Sequence, residues 1–156
     1  MSDAPEPVGA RELMIELSRL MVGIAYRSLD GLDPALDLPA FRALAFVERH
    51  PGSTMGAFAI GVDLPPSSST RLCDRLANAG WVTRQHSPDN RRSVEVTLTR
   101  KGHKLVSAAV AARGRELEAM LDRLPPGQRT ILESLLPDLV VAAAGPIADT
   151  VPAWSV

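Results

Sequence analysis

Apolar residues recur at helical spacing in several stretches of the chain. The first stretch covers residues 9–29 and ends before residues 31–34, where Gly and Pro interrupt the pattern. Asp37 is placed to cap a second helix. Two long helices are predicted nearer the other end, one after Thr99 and one after residues 125–127. Their apolar stripes contain Leu105, Val106, Ala109, Val110, Leu117, Met120, Leu121, Leu124, Ile131, Leu132, Leu135, Leu136, Leu139 and Val140.

The middle of the chain has shorter elements. Ser53 or Thr54 can cap a short helix, and Pro66 suits the first position of the helix that follows. Asp63 lies in the tight turn between these two helices, where a left-handed backbone is needed. Asp is among the few residues other than Gly that tolerate that conformation. The spacing therefore predicts a helix-turn-helix.

Alternating apolar residues follow the second of these helices. They predict two strands, at 81–86 and 94–98, around a polar turn that carries Arg91 and Arg92. A basic hairpin beside a helix-turn-helix is the plan of a winged helix-turn-helix, so the predicted fold class is mostly α with a small β-hairpin wing (α+β). At the tip of the wing, the two arginines could enter a DNA minor groove and respond to its width and negative potential.

The helix that begins at Pro66 has a distinct polar surface. Leu72, Cys73 and Leu76 are expected to face inward, and the surface carries Ser67, Ser68, Thr70, Arg71, Asp74 and Arg75. A run of three serines is a poor choice for helix stability, but short donors can approach a nucleic-acid groove closely. The alternative is that the serines cap the helix, which applies more to Ser67 than to Thr70 or Arg71.

Charge is distributed unevenly in this chain of 156 residues with a net charge of -1. Residues 71–104 hold eight Lys or Arg and three acidic residues, a balance of +5. A basic segment in an otherwise acidic protein suits a surface that meets phosphate, and the alternative is simply a solvated hairpin.

Several function classes find no support in the sequence. No apolar run is long enough for a membrane helix, residues 1–8 lack the pattern of a signal peptide, and a cytoplasmic location is expected. Three scattered histidines make no metal motif, and no cofactor motif or nucleophile with His and acid partners is present, so an enzyme is not expected. The single cysteine, Cys73, fits a small core residue better than a redox sensor.

Four sequence anchors together resemble the multiple-antibiotic-resistance regulator (MarR) family of bacterial transcription factors. They are PSSSTRLCDRL at 66–76, AGWVTR at 79–84, PDNRRSVEVTLT at 88–99 and RKG at 100–102. The resemblance covers roughly residues 10–142. It departs from the family at Asp63, where glycine is usual, and at Asn90, where an acidic residue often braces the wing arginine.

This resemblance implies a homodimer that binds double-stranded DNA at a roughly palindromic operator, usually as a repressor. Ser67, Ser68, Thr70 and Arg71 would face the major groove, Arg75 and Arg84 would hold phosphates, and Arg92 would enter the minor groove. Many members of the family release DNA when a small aromatic effector binds between the dimer helices and the DNA lobe. In this chain that region would be bordered by Tyr26, Phe41, Phe46 and His50, whose aromatic rings core packing explains equally well.

The resulting domain prediction has four parts. Residues 1–8 are a disordered N-terminus, 9–36 and 100–145 form a helical dimerisation region, 37–99 form the DNA-binding lobe, and 146–156 are a C-terminal tail. The competing hypothesis is a winged-helix interaction or ligand-sensing module that no longer reads DNA. The acidic overall balance, Asn90 and the proline pair at 65–66 favour it.

Overall fold

The computed structural model describes residues 9–86 and 93–147. Its elements, in chain order, are α1 (Ala10–Asp30), α2 (Leu38–Arg49), β1 (Ser53–Thr54), α3 (Met55–Gly61), α4 (Pro66–Asn78), β2 (Val82–His86), β3 (Val94–Leu98), α5 (Arg100–Leu121) and α6 (Pro126–Ile147). The predicted fold class, mostly helical with a small antiparallel wing, is confirmed. Three predictions lie outside the described residues: disorder at 1–8, the wing arginines Arg91 and Arg92, and the tail beyond residue 147.

The sheet has three antiparallel strands in the order β1-β3-β2, so the prediction of two strands was incomplete. Val96 of β3 pairs with Ser53 of β1 on one side and with Arg84 of β2 on the other. β1 is only two residues long, too short for any alternation of apolar and polar residues to reveal it. Thr54 also caps α3, its hydroxyl accepting a hydrogen bond from the Ala57 amide at 3.2 Å.

The core lies around α2, where seven of twelve residues are buried. Phe58 of α3, which is fully buried, contacts the ring of Phe46 of α2 edge to face with centroids 6.3 Å apart. A Cβ atom added at Gly61 would overlap that Phe46 ring, so glycine lets the end of α3 approach α2. Leu72, Cys73 and Leu76 bring α4 into the same core, as predicted.

Two helices of the lobe end in the same turn motif. At the end of α3, Asp63 has a φ of 54°, its amide donates to the Ile60 carbonyl, and the Leu64 amide donates to the Ala59 carbonyl. At the end of α4, Gly80 has a φ of 72° and the equivalent two bonds form. Both are Schellman motifs, in which a left-handed residue lets the chain leave a helix with its last carbonyls satisfied. The predicted left-handed turn at Asp63 is confirmed.

The outer helices contrast with this core. α1 packs on α5, with Arg27 and Glu116 paired at 3.4 Å, but large apolar side chains of α1 and α6 remain exposed, including Leu13, Leu17, Leu20, Ile131, Leu135 and Leu139. α6 continues without a break through Pro137 and Gly145. None of the helices in the described parts of the chain is long and apolar enough to cross a membrane.

The corner between α5 and α6 is held by Arg129. Its guanidinium contacts Glu118 at 2.7 Å and Asp122 at 2.8 Å, both next to the corner, and Glu133 of α6 at 2.9 Å. Hydrogen bonds to Glu118 and Glu133 raise the pKa of Arg129 above its ordinary value. One arginine therefore links the two helices through three carboxylates.

Candidate nucleic-acid interface

The first two turns of α4 form an exposed polar row. Ser67, Ser68, Thr70 and Arg71 are all exposed, and only Ser69 among the three serines is buried. Arg71 makes no hydrogen bond or ion pair with any residue that the structure describes. These four side chains contribute little to packing and are available to a partner.

The start of α4 has no side-chain cap. Pro65 precedes it, and within the described parts of the chain no side chain accepts a hydrogen bond from the first amides of the helix. The hydroxyls of Ser69 and Thr70 instead donate to the Pro66 carbonyl, at 2.9 Å and 2.8 Å. The serines therefore do not cap α4, and its uncapped N-terminus offers free N–H groups and a partial positive charge suited to phosphate.

Arg75 lies one turn beyond Arg71 and has a partner within the chain. Its Nη1 donates to Asp37 Oδ2 at 2.6 Å and its Nη2 to Asp37 Oδ1 at 3.0 Å. Asp37 is the predicted cap of α2, its carboxylate accepting from the Ala40 amide at 2.7 Å. Partial burial acts to raise the pKa of Asp37, but the hydrogen bonds from Arg75 and Ala40 outweigh it, so the pKa lies below its ordinary value.

Arg84 is also paired within the chain. It lies on β2, and its Nη1 donates to the carboxylate of Asp74 on α4. Asp74 and Arg75 are adjacent in sequence, so α4 is tied to β2 through one residue and to the start of α2 through the next. Both arginines that the resemblance assigns to phosphates have carboxylate partners in the free protein.

A junction of backbone and hydroxyl groups joins the end of α4 to the start of α5. Thr99 Oγ1 donates to the Gly80 carbonyl at 2.7 Å and accepts from the Gly102 amide at 3.0 Å. Lys101 Nζ donates to the Ala79 carbonyl at 2.9 Å. A Cβ added at Gly102 would overlap the Trp81 carbonyl oxygen. The anchor at 79–84 thus contacts the end of the 88–99 anchor and the anchor at 100–102, which connects α4 to the outer helix α5.

The four predicted effector residues differ in how far they are buried. Phe41 and Phe46 are core residues, Arg113 of α5 lies 5.6 Å from the Phe41 ring centroid, and His50 stacks beside Phe46 at 4.7 Å. Tyr26 is half exposed on α1. None of the four lines the cleft of about 600 Å³ between α1 and α5, whose lining includes Arg19, Ile24, Arg27, Ala112, Arg115, Glu116 and Arg123.

Cys73 is fully buried in the core. Burial raises the pKa of its thiol above the ordinary value, outweighing the nearby positive charge of Arg84. A protonated, inaccessible thiol is a poor nucleophile. Its place agrees with the interpretation of Cys73 as a core residue.

Sequence reasoning missed the two acidic partners in this region. Asp37 was identified only as a cap and Asp74 only as a surface residue, because the contacts join residues 38 and 10 positions apart. The sequence carried one signal for the Arg84–Asp74 pair. Asp74 lies on the polar side of α4 and Arg84 on the adjacent strand, ten residues later in an otherwise basic segment.

Comparison with known proteins agrees with this geometry. A sequence model of the MarR family matches residues 31–93. The chain is 32% identical to the HTH-type transcriptional regulator Mb0904 of Mycobacterium bovis, over 85% of this chain and 90% of that protein. The crystal structure of RV1404 from Mycobacterium tuberculosis superposes with a TM-score of 0.76 at 26% identity, covering 91% of this chain and 98% of that one.

A second similar structure is an S. aureus MepR mutant bound to an oligodeoxyribonucleotide. It has a TM-score of 0.70 and is 18% identical, covering 88% of this chain and 99% of that chain. At that identity the likeness concerns the fold. The arrangement of α3, α4 and the sheet is thus shared by a protein whose structure contains DNA.

Proposed function

Because this chain belongs to the MarR family of DNA-binding winged helix-turn-helix transcription regulators, we propose that it represses transcription as a homodimer on a pseudo-palindromic operator. The observation that carries the proposal is the exposed row Ser67, Ser68, Thr70 and Arg71, displayed at the uncapped N-terminus of α4. The N-terminal residues of a recognition helix are those that contact base edges in the major groove. The protein would act on chromosomal DNA in the cytoplasm.

Each residue in the row has a distinct role in this proposal. Arg71 can form a bidentate pair with a guanine edge or bind a phosphate. The hydroxyls of Ser67 and Ser68 have no partner among the residues that the structure describes and can donate to phosphates or base edges, whereas that of Thr70 donates to the Pro66 carbonyl and keeps its oxygen as an acceptor. Arg91 and Arg92 are proposed to bind the adjacent minor groove.

The proposal is tested by selecting bound fragments from the organism's own genomic DNA with the purified protein. We expect one or a few fragments with an inverted repeat, bound with an affinity that falls steeply with salt because phosphate contacts release counterions. Arg71→Ala should relax sequence preference, and an Arg91→Ala, Arg92→Ala double variant should weaken binding. Retention of no fragment above bulk competitor DNA would overturn the proposal.

A second copy of the chain is the proposed partner of the outer helices. Ile131, Leu135, Leu139 and Val140 of α6 are 47–61% exposed, and Leu13 and Leu20 of α1 are more than half exposed. Monomeric proteins rarely leave so much apolar surface uncovered. A two-fold dimer would cover it and would hold two α4 helices about 34 Å apart, one turn of duplex.

Dimerisation is measured by sedimentation equilibrium. The wild type should sediment at twice the mass of one chain, and Leu135→Asp with Leu139→Asp should sediment as a folded monomer with weaker operator binding. A monomeric wild type at micromolar concentration would exclude this mode of action.

Repression and its control by a ligand are the last elements of the proposal. Deletion of the gene should raise transcription from the promoter on the selected fragment. A fall in that transcription would indicate an activator. An effector is proposed to bind beside α1, where the cleft of about 600 Å³ against α5 is lined by four arginines together with apolar side chains. An effector that contacted Phe41 or Phe46 instead would have to displace side chains packed in the core. Release of operator DNA by small aromatic acids, abolished by Arg115→Ala, is the expected result.

A further inference from the structure

Arg75 has the exposure and position of a phosphate ligand but the contacts of a structural brace. Its side chain is 52% exposed, on α4, one turn after Arg71, which has no partner among the described residues. Both of its terminal nitrogens are engaged by the two oxygens of Asp37. Such a fork-to-fork pair is the strongest geometry available to an arginine and a carboxylate.

Asp37 cannot follow Arg75 away from this position. Its Oδ1 also accepts from the Ala40 amide at 2.7 Å, and its backbone carbonyl accepts the first bond of α2, from Phe41 at 2.9 Å. The carboxylate is thus fixed at the N-terminus of the helix with the most buried residues in the lobe. A guanidinium held by a fixed carboxylate fixes the helix that carries it.

Charge leads to the same conclusion. The Arg75–Asp37 pair is neutral, so it attracts no phosphate and releases no counterion from DNA. Moving Arg75 to a phosphate would break two charge-assisted hydrogen bonds and leave the Asp37 carboxylate near the negatively charged duplex. Among the described residues, no carboxylate competes with phosphate for Arg71 in this way.

We infer, on the basis of the proposed operator binding, that Arg75 is a positioning residue, which orients α4 through Asp37, and that its guanidinium stays on Asp37 when DNA is bound. The DNA-contacting arginine of α4 is then Arg71 alone. Arg75 sets the angle at which the row from Ser67 to Arg71 enters the groove.

Operator binding over a range of salt concentrations separates the two roles. The variants are Arg75→Gln, Arg75→Lys, Asp37→Asn and the Asp37→Asn, Arg75→Gln double variant, with Arg71→Gln as the matched control one turn away. Asn is as good a helix cap as Asp, so Asp37→Asn removes the charge while keeping the start of α2. Lys keeps the charge of Arg75 but cannot span two carboxylate oxygens.

The four variants at Asp37 and Arg75 are called the brace variants. We expect each of them to weaken operator binding by a similar factor, about two- to fivefold for a half-exposed pair. Their slope of log affinity against log salt should equal that of the wild type, and the double variant should be no worse than either single one. Arg71→Gln should instead reduce the slope by about one.

Four results would overturn the inference. Arg75 would be a phosphate ligand if Asp37→Asn bound the operator more tightly, if Arg75→Gln reduced the slope by about one, or if Arg75→Lys alone among the four variants kept wild-type affinity. Wild-type behaviour in every brace variant would remove its positioning role.

A measurement without DNA keeps this test separate from that of the proposed function. In thermal unfolding of the free protein, the two single variants and the double variant form a cycle. Coupled, non-additive effects support the brace, and additive effects overturn it. A wild type that binds no operator would refute the proposed function while leaving this cycle interpretable, and Asp37→Asn serves if Arg75→Gln fails to fold.

Discussion

The DNA lobe and the outer helices use the same residue types for opposite purposes. Leu76 of α4 is fully buried within its own chain, whereas Leu139 of α6 is 47% exposed. The lobe therefore has a core that one chain completes, while the outer helices have an apolar surface that one chain leaves open. Apolar periodicity alone predicts a helix in both places, and only the fold shows which apolar face is buried within its own chain.

Truncating one leucine from each region gives the largest expected effect. Leu76→Ala should lower the free energy of unfolding by about 2–5 kcal/mol at every protein concentration, because it leaves a cavity in the core. Leu139→Ala should change stability mainly through association, so its effect should disappear on dilution. Chemical denaturation at two protein concentrations measures both. A concentration-independent loss in both variants would erase the distinction between the regions.

Two glycines provide a smaller contrast. Gly102→Ala should destabilise the fold by about 1–3 kcal/mol, because the new methyl group would collide with the Trp81 carbonyl where the two regions join. Gly114 is also in α5, but a Cβ there meets no atom within 4 Å. Gly114→Ala should therefore stabilise by about 0.5–1 kcal/mol through helix propensity. Thermal unfolding of both variants measures the two changes in stability. Changes of the same sign would contradict the contact at Trp81.

The turn at Asp63 tests whether the lobe carries strain that the outer helices lack. Asp63→Val should lower the free energy of unfolding by about 1–2 kcal/mol, since a β-branched residue is disfavoured at positive φ. Asp63→Gly should leave stability unchanged or slightly higher. Denaturant titration of the two variants gives the comparison. Equal stability of the Val and Gly variants would argue against a left-handed residue at this position.

The smallest expected effect is a pH dependence that belongs to the lobe. The pKa of Asp37 is lowered in the folded state, so its stabilisation is complete above the unfolded pKa of about 4 and is lost as pH falls through the folded value. For a half-exposed pair the loss should not exceed about 1 kcal/mol. Asp37→Asn should lack this part of the acid sensitivity in unfolding titrations. If Asp37→Asn lost as much stability at low pH as the wild type does, Asp37 would contribute nothing to the pH dependence.

Local signals explain why much of the lobe was predictable. Asp37 and Thr54 as caps, Asp63 as the left-handed residue and Pro66 at the first helical position each follow from neighbouring residues, and the structure confirms them. The inward positions of Leu72, Cys73 and Leu76 follow from helical spacing in the same way.

The parts that sequence reasoning missed depend on contacts across the fold. β1 is recognised as a strand only because β3 lies beside it. The partners of Arg75 and Arg84 are set by how α2, α4 and β2 pack, which no local pattern contains. For Phe41 and Phe46 the sequence left core packing and a ligand border open, since spacing alone cannot distinguish the two, and the structure places both rings in the core.

The exposed row at the start of α4 also has an evolutionary consequence. Ser67, Ser68 and Arg71 bury little surface, so most substitutions there leave the fold intact. Under the proposed operator binding, gene duplicates would explore new operator sequences at these positions without passing through unstable intermediates. The orientation of α4 is kept by other residues, among them Asp37 and Arg75, where drift would be constrained. Recognition and architecture can then diverge at different rates within one thirteen-residue helix.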